Sequence, residues 1–285
     1  MNAITDTSRG AVWLAALTQH AAPLPDYPPS VRVVDAPLAG EPARYLAVLP
    51  DPDNRFTRAR TGEVGLVEAW LLARAVQQVV VEDQALAVKR PIVAVIDVAS
   101  QAYGRREEAY GIHQALAGAA GAYAEARLAG HPVIGLIVGK AMSGAFLAHG
   151  YQANRLIALD DPQVMVHAMG KASAARITLR TVEALEALAA SIAPMAYDIG
   201  NYATLGLLWQ TLQVAQPDDP SAQDTAAVEA CRCGAPSRLA RPRSGSRRIS
   251  ASAACRLAST CATSALDGAS GCATVKVRHS RPRVA

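Results

Sequence analysis

The sequence has few aromatic residues and no cysteine over most of its length. Aromatic residues make up 5% of the chain, and no cysteine precedes residue 231. The five cysteines are Cys231, Cys233, Cys255, Cys261 and Cys272. A zinc site is typically built from paired ligands such as Cys-x-x-Cys, and this spacing does not match that pattern. The sequence therefore predicts no metal site.

The sequence also lacks a long apolar segment, although 51% of its residues are hydrophobic. No apolar run reaches the roughly 18 residues that a membrane helix needs. The first ten residues, MNAITDTSRG, contain neither the charged start nor the apolar stretch of a secretory signal. We therefore expect a cytoplasmic protein that binds no membrane, with enough apolar residues to bury a full core.

Charge is distributed unevenly along the chain. Residues 231–285 contain 11 of the 28 basic residues and one acidic residue, which leaves 17 basic and 23 acidic residues in 1–230. A basic segment attracts nucleic acid, but this one has no aromatic residue that could stack on bases, so we predict no nucleic-acid binding. We interpret 1–225 as one domain. Residues 226–285 are interpreted as a low-complexity basic tail, disordered or non-native, as a frame-shifted translation would give.

Apolar patterning in 1–225 predicts alternating strands and helices, and hence an α/β fold. The continuous apolar runs 92–98 and 133–138 have the composition of strands buried on both faces. The other predicted strands are 31–34, 44–49, 155–158 and 163–166, and the predicted helices are 62–87, 106–128, one starting near 144, 179–193 and 194–212.

Two loops at the ends of the apolar strands are candidates for a functional site. The loop Gly139 to Ala145 is rich in small residues and leads into a helix, so its backbone N–H groups can approach and hold an oxyanion. The strand 92–98 ends in the loop Ala99 to Gly104. Both loops should lie at the same edge of the sheet, which is where ligands bind in open α/β sheets.

The segment 97–150 resembles the crotonase-fold carboxyltransferases and acyl-CoA decarboxylases. The likeness rests on a strand, an aromatic-Gly pair (Tyr103-Gly104), an acidic helix start (Glu107-Glu108), a second strand and a Gly/Ala-rich turn. The continuations QANRLIALDDP (152–162) and VMVHAMGK (164–171) most closely resemble the γ subunits of malonate decarboxylase. The resemblance implies a crotonase-like (ClpP/crotonase) superhelix of ββα units.

In this family a β and a γ subunit together decarboxylate a malonyl thioester that an acyl-carrier subunit holds, giving acetyl thioester and CO₂. Loss of CO₂ places negative charge on the thioester oxygen, where one backbone donor is worth about 3 kcal/mol. The resemblance implies that the amides of Ser143 and Gly144 hold this enolate, with a second hole at Tyr103-Gly104. The candidate proton donors are Tyr103, His167 and His149, of which we interpret His149 as an interior residue.

The resemblance also implies the partners of the chain. These are a β subunit and an acyl-carrier subunit, and the substrate is carried on a CoA-like prosthetic group of the latter. The chain itself is expected to bind no cofactor. Arg105 and Arg106 are candidates for contacting the phosphates of the carrier, and Lys140 for steering the malonyl carboxylate. Apolar residues within 194–212 predict a surface for an obligate partner.

Three alternative functions remain open. The chain could serve as a carboxyltransferase subunit of a biotin-linked enzyme, or as a non-catalytic structural partner. Ser143 and His167 also resemble the nucleophile and base of a Clp-type serine peptidase, which would need an acid such as Asp160, Asp161 or Asp198 to orient the imidazole.

Overall fold

The computed structural model describes residues 8–231, except for the side chain of Ala193. The predicted disorder of the tail beyond Cys231 therefore lies outside the described residues. The described helices are α1 (Arg9–Leu17), α2 (Leu66–Glu82), α3 (Arg105–Ala109), α4 (Ile112–Leu128), α5 (Ser143–Ala148), α6 (Lys171–Ile177), α7 (Val182–Ala189), α8 (Ile199–Thr204) and α9 (Ala222–Ala230), with short 3₁₀ turns at Thr57–Ala59 and Ala193–Met195. The described strands are β1 (Val31–Leu38), β2 (Glu41–Val48), β3 (Ile92–Val98), β4 (Val133–Met142), β5 (Arg155–Leu159), β6 (Met165–His167) and β7 (Gln210–Leu212).

The seven strands form one mixed sheet in the order β1-β2-β3-β4-β5-β7, with β6 paired to β4. The predicted strands 31–34 and 44–49 correspond to β1 and β2, which are antiparallel and are joined by Ala39 and Gly40, both with positive φ, at 51° and 80°. All other pairs are parallel. The α/β class is therefore confirmed.

The centre of the sheet is the parallel pair β3 and β4, and most of its residues are buried. Strand β4 is longer than predicted, because its first half pairs with β5 and its second half pairs with β6. The second half thus continues the strand directly into the small-residue turn. This arrangement places the turn beside the loop that follows β3.

Two predicted helices differ from the structure. The pattern over 106–128 is divided into α3 and α4, because Gly111 between them adopts a left-handed conformation with φ of 81°. Residues 194–212 form α8 and β7 with irregular connections rather than one helix. There Tyr197 and Ile199 are buried within the chain, so part of the apolar surface expected for a partner is internal.

The described structure continues past residue 225, the end of the domain predicted from the sequence. Helix α9 crosses the expected division between residues 225 and 226, and Val228 and Cys231 are buried. The helix starts with a capping box in which Ser221 and Asp224 bond reciprocally. Packing against the core therefore continues to Cys231, the last residue described. Within residues 8–231 no helix is long and apolar enough to cross a membrane.

The carboxylate of Asp97 connects the first helix to the central strands. It accepts hydrogen bonds from the backbone N–H groups of Gly10 in α1, at 3.2 Å, and of Lys140 in β4, at 3.0 Å. A Cβ atom placed on Gly139 would overlap Asp97 Oδ1. Glycine at 139 therefore provides the space in which this carboxylate lies.

We predict that Gly139→Ala lowers the free energy of unfolding by about 2 kcal/mol, the usual cost of overpacking a core. In an Asp97→Ala background the same substitution should cost much less, because the overlapping carboxylate is gone. Denaturant unfolding of the single and double variants measures this coupling. Gly121→Ala, in open space on α4, is a control that should not destabilise the protein. Equal costs of Gly139→Ala in both backgrounds would contradict the interpretation.

Candidate active site

The turn between β4 and α5 has a strained backbone. Ser143, the first residue of α5, has a φ of 58°, which costs a residue with a side chain roughly 1–2 kcal/mol. Its hydroxyl Oγ donates a hydrogen bond to the carbonyl oxygen of Ala168, at 2.8 Å. Ala168 directly follows β6, so this bond joins the turn to the loop of the neighbouring strand.

The two predicted loops do meet at one edge of the sheet. The backbone N–H of Gly144 donates to the side-chain oxygen Oε1 of Gln101, in the loop after β3, at 3.0 Å. A Cβ atom on Gly144 would lie 3.4 Å from that oxygen, which is ordinary van der Waals distance. Gln101 was not among the predicted site residues. Its position just after a buried strand, at the ligand-binding edge of the sheet, was the available signal.

Ser143, Gly144 and His167 line one cavity of about 320 Å³. Apolar side chains, including Phe146, Leu147, Val166, Leu205 and Leu207, form most of its wall. Apolar walls with a few convergent polar groups are typical of small-molecule sites. Three of the predicted catalytic residues are therefore brought together in a cavity of this kind.

The imidazole of His167 is held by stacking and by the main chain. Its ring lies 3.9 Å from the ring of Tyr197 in a nearly parallel stack. Its Nδ1 atom lies 3.1 Å from the backbone nitrogen and 3.0 Å from the carbonyl oxygen of Met169. Burial lowers the pKa of His167, and the hydrogen bond to Met169 partly opposes this. The ring is therefore mainly neutral near pH 7.

The hydrogen bonds at this site differ from those of a serine peptidase. Ser143 Oγ donates to a carbonyl oxygen rather than to His167, and His167 Nδ1 contacts the main chain rather than a carboxylate. Asp198, one candidate acid, instead caps α8 by accepting from Asn201 N–H. Within the described residues the nucleophile, base and orienting acid of a peptidase are not connected.

The second predicted hole, at Tyr103-Gly104, lies at the start of α3. Tyr103 is 54% exposed. A Cβ on Gly104 would lie 2.6 Å from Arg58 Nε and 2.7 Å from Glu107 Oε2, so these two side chains close over the glycine. Glu107 is 5% exposed. Its burial at this loop was also missed, since an acidic residue in a first helical turn is usually solvated.

The three predicted phosphate- or carboxylate-binding residues are all exposed. Arg106 lies over the rings of Phe56, at 5.1 Å, and Tyr110, at 5.8 Å, in a groove separate from the His167 cavity. Arg105 is its neighbour at the start of α3. Lys140 lies three residues before Ser143. Over residues 8–231 no group of three His, Cys, Asp or Glu side chains could hold a metal ion.

His149 is a satisfied interior residue, as predicted. It is fully buried, its Nδ1 lies 3.0 Å from the hydroxyl of Tyr123, and its Nε2 lies 3.0 Å from the carbonyl oxygen of Val95. The carbonyl can only accept, so Nε2 carries the proton and Nδ1 accepts from the tyrosine. Burial lowers the pKa of His149 to about 4. It is therefore neutral and unavailable to a substrate.

We predict that neutral His149 makes stability depend on pH. An unfolded histidine binds a proton below pH about 6.5, whereas native His149 does so only near pH 4. Its contribution is therefore complete above about pH 6.5 and is lost as the pH falls toward 4, at up to about 1.4 kcal/mol per pH unit. Between about pH 7 and pH 5, the unfolding free energy of the wild type should fall by about 2 kcal/mol more than that of His149→Gln.

Urea unfolding at the two pH values measures this difference. His113→Gln is the matched control, because His113 is exposed on α4 and should leave the pH dependence unchanged. A wild-type pH dependence in His149→Gln would show that the buried imidazole is not responsible.

Comparison with known proteins identifies the family. The family model "Malonate decarboxylase gamma subunit" matches residues 59–266. The chain is 66% identical to a chain of the Pseudomonas malonate decarboxylase MdcD-MdcE hetero-dimer, with a TM-score of 0.75 over 79% of this chain and 87% of that chain. A Pseudomonas malonate decarboxylase hetero-tetramer in complex with coenzyme A matches at 66% identity and a TM-score of 0.76, over 79% of this chain and 85% of that chain.

A more distant relative is the malonyl-S-ACP:biotin-protein carboxyltransferase MADD of Malonomonas rubra. It is 37% identical over 139 residues, which is 48% of this chain and 48% of that protein. The chain thus matches about half the length of this curated relative. The predicted crotonase-like fold is confirmed by the structural matches. With the family model covering most of its length, the chain belongs to the malonate decarboxylase gamma subunit family.

Proposed function

We propose that this chain works with a β subunit to decarboxylate a malonyl thioester carried on an acyl-carrier subunit. The carbon–carbon bond to the carboxylate breaks, its electron pair forms an enolate on the thioester, and CO₂ leaves. The α-carbon then takes a proton to give the acetyl thioester. The protein's task is to stabilise the enolate oxygen and to deliver that proton.

The observation that carries the proposal is the direction of the Gly144 N–H. It donates to a side-chain carbonyl oxygen at 3.0 Å, and Gly144 lines the cavity that also contains Ser143 and His167. A thioester oxygen could accept the same hydrogen bond. The amide of Ser143 is the proposed second donor, at the turn that the Ala168 bond holds in place. The Tyr103-Gly104 turn is the proposed site of the departing carboxylate.

His167 is the proposed proton donor, in preference to the exposed Tyr103, and it would act through the protonated imidazolium, which its lowered pKa makes the minor but more acidic form. It lines the same cavity as the enolate donors, while Tyr103 lies on the surface at the start of α3. Positioned acids and bases typically contribute 10²-fold to 10⁴-fold to a rate. The turnover numbers of His167→Gln and Tyr103→Phe in the assay below compare the two.

The exposed basic side chains are proposed to bind the acyl carrier and the malonyl group that it holds. Arg105 and Arg106 are proposed to contact the phosphates of its CoA-like prosthetic group, and Lys140 to attract the malonyl carboxylate. Their exposure near the two loops supports this, as does the coenzyme A complex of the Pseudomonas relative. The exposed leucines at the cavity mouth, Leu147, Leu205 and Leu207, are proposed to contact the β subunit.

The decisive experiment is a decarboxylation assay of the chain purified with its β subunit. We expect CO₂ release from malonyl-CoA that avidin does not affect. The relationship to a biotin-protein carboxyltransferase favours one alternative, a carboxyltransferase that passes the carboxyl group to biotin. Activity that requires a biotinylated partner and is abolished by avidin would establish that alternative instead.

Two substitutions at the turn test the mechanism in the same assay. Gly144→Val places a branched side chain where the thioester approaches and should lower turnover by about 100-fold or more. Folding should be nearly unchanged, because the atoms nearest to a Cβ at Gly144 belong to the flexible side chains of Gln101 and Leu116, at 3.4–3.5 Å. Ser143→Ala keeps the backbone donor and should have a mild effect.

The opposite pattern would contradict this mechanism. Loss of activity in Ser143→Ala with retention in Gly144→Val would indicate a serine nucleophile. Full activity in both variants would indicate that the chain is a structural partner and that the β subunit performs the chemistry. Thermal unfolding of each variant controls for loss of fold.

A further inference from the structure

The hydrogen-bond site that the proposed function assigns to the substrate is already occupied by a side chain of this protein. The Gly144 N–H donates to Gln101 at 3.0 Å. Because an N–H can only donate, the bonded atom must be the carboxamide oxygen Oε1 rather than the nitrogen. A carboxamide oxygen and a thioester oxygen are both carbonyl oxygens. They therefore compete for the same donor.

The backbone of Gln101 is fixed, whereas its side chain is held lightly. Its main chain forms a bridge with Val64, and its carbonyl oxygen accepts from Ser100 Oγ and from the Tyr103 N–H, both at 3.0 Å. The bond to Gly144 is the one hydrogen bond of the Gln101 side chain within the described residues. Rotation of side-chain torsions alone can thus release it. A neutral hydrogen bond of this kind changes an equilibrium constant by a factor of about 2 to 13.

We propose that Gln101 is a displaceable internal ligand of the Gly144 amide, which the thioester oxygen replaces when substrate binds. This proposal rests on the proposed function. The bond that is lost is between neutral groups, while the bond to the enolate is charge-assisted and stronger. Displacing Gln101 costs the same free energy for substrate and for enolate, so it raises KM and leaves kcat unchanged, while the stronger bond to the enolate still favours the reaction. In the free subunit, Gln101 keeps the donor satisfied and aligned.

Two substitutions of similar length separate this role from a structural one. Gln101→Met removes the strong acceptor, and Gln101→Glu replaces it with a charged one. In the complex with the β subunit, Gln101→Met should lower the KM for malonyl-CoA and the inhibition constant of acetyl-CoA by about 2-fold to 13-fold, with kcat nearly unchanged. Gln101→Glu should raise both constants by about 10-fold, because a carboxylate binds the Gly144 N–H more strongly and is harder to displace, and for malonyl-CoA it also repels the substrate carboxylate.

Gln77→Met, exposed on α2, is the control and should change neither constant. A purely structural role would make both Gln101 variants worse in the same direction and would overturn the proposal. A fall in kcat in Gln101→Met without a fall in KM would also overturn it, because Gln101 would then act on the transition state.

The binding measurement keeps this test apart from the proposed function. If the wild-type complex binds acetyl-CoA but releases no CO₂ from malonyl-CoA, the proposed function fails. The change in acetyl-CoA affinity, measured by calorimetry on the same complexes, then still decides the role of Gln101. Affinity equal in the wild type and Gln101→Met would overturn it.

Discussion

The parallel pairing of β3 with β4 is the constraint on which the rest of the structure depends. Both strands lie in the centre of the sheet, and parallel strands deliver their carboxyl ends to one edge. The loop with Gln101 and the turn with Gly144 meet there for this reason. Asp97, in β3, also holds these strands in place. Its carboxylate lies in the space left by Gly139 and accepts hydrogen bonds from the backbone of α1 and of β4. A change in this register would separate the two loops.

The groups proposed to stabilise the enolate at this site are main-chain atoms. Its proposed donors are backbone N–H groups, so the local sequence must supply small residues and an unusual backbone rather than particular reactive side chains. The left-handed conformation of Ser143 is the cost of that backbone, and its hydroxyl bond to Ala168 helps to offset it. The serine therefore has a structural use at the position where a peptidase would have its nucleophile.

The features that could be predicted from the sequence are those formed by residues that lie close together along the chain. Strand β3 has the predicted bounds, because a continuous apolar run is a local signal, and the interior position of His149 follows from its place at the C-terminal end of a short apolar helix. The division of the helix at Gly111 was missed, because the helical pattern continues through it. The bond between Gln101 and Gly144 spans 43 residues and has no local pattern at all.

The apolar residues at the mouth of the cavity affect how strongly the backbone N–H groups inside it can bind a substrate oxygen. Leu147 is 51% exposed, and Leu205 and Leu207 are 45% and 47% exposed, so water reaches the rim of the site. Hydrogen bonds to a developing charge are much stronger where water is excluded. In the proposed complex, a β subunit that covers these leucines would therefore do more than hold the chain in place. By removing water it would strengthen the bond of Gly144 to an enolate more than its bond to a neutral carbonyl oxygen, and so favour formation of the enolate.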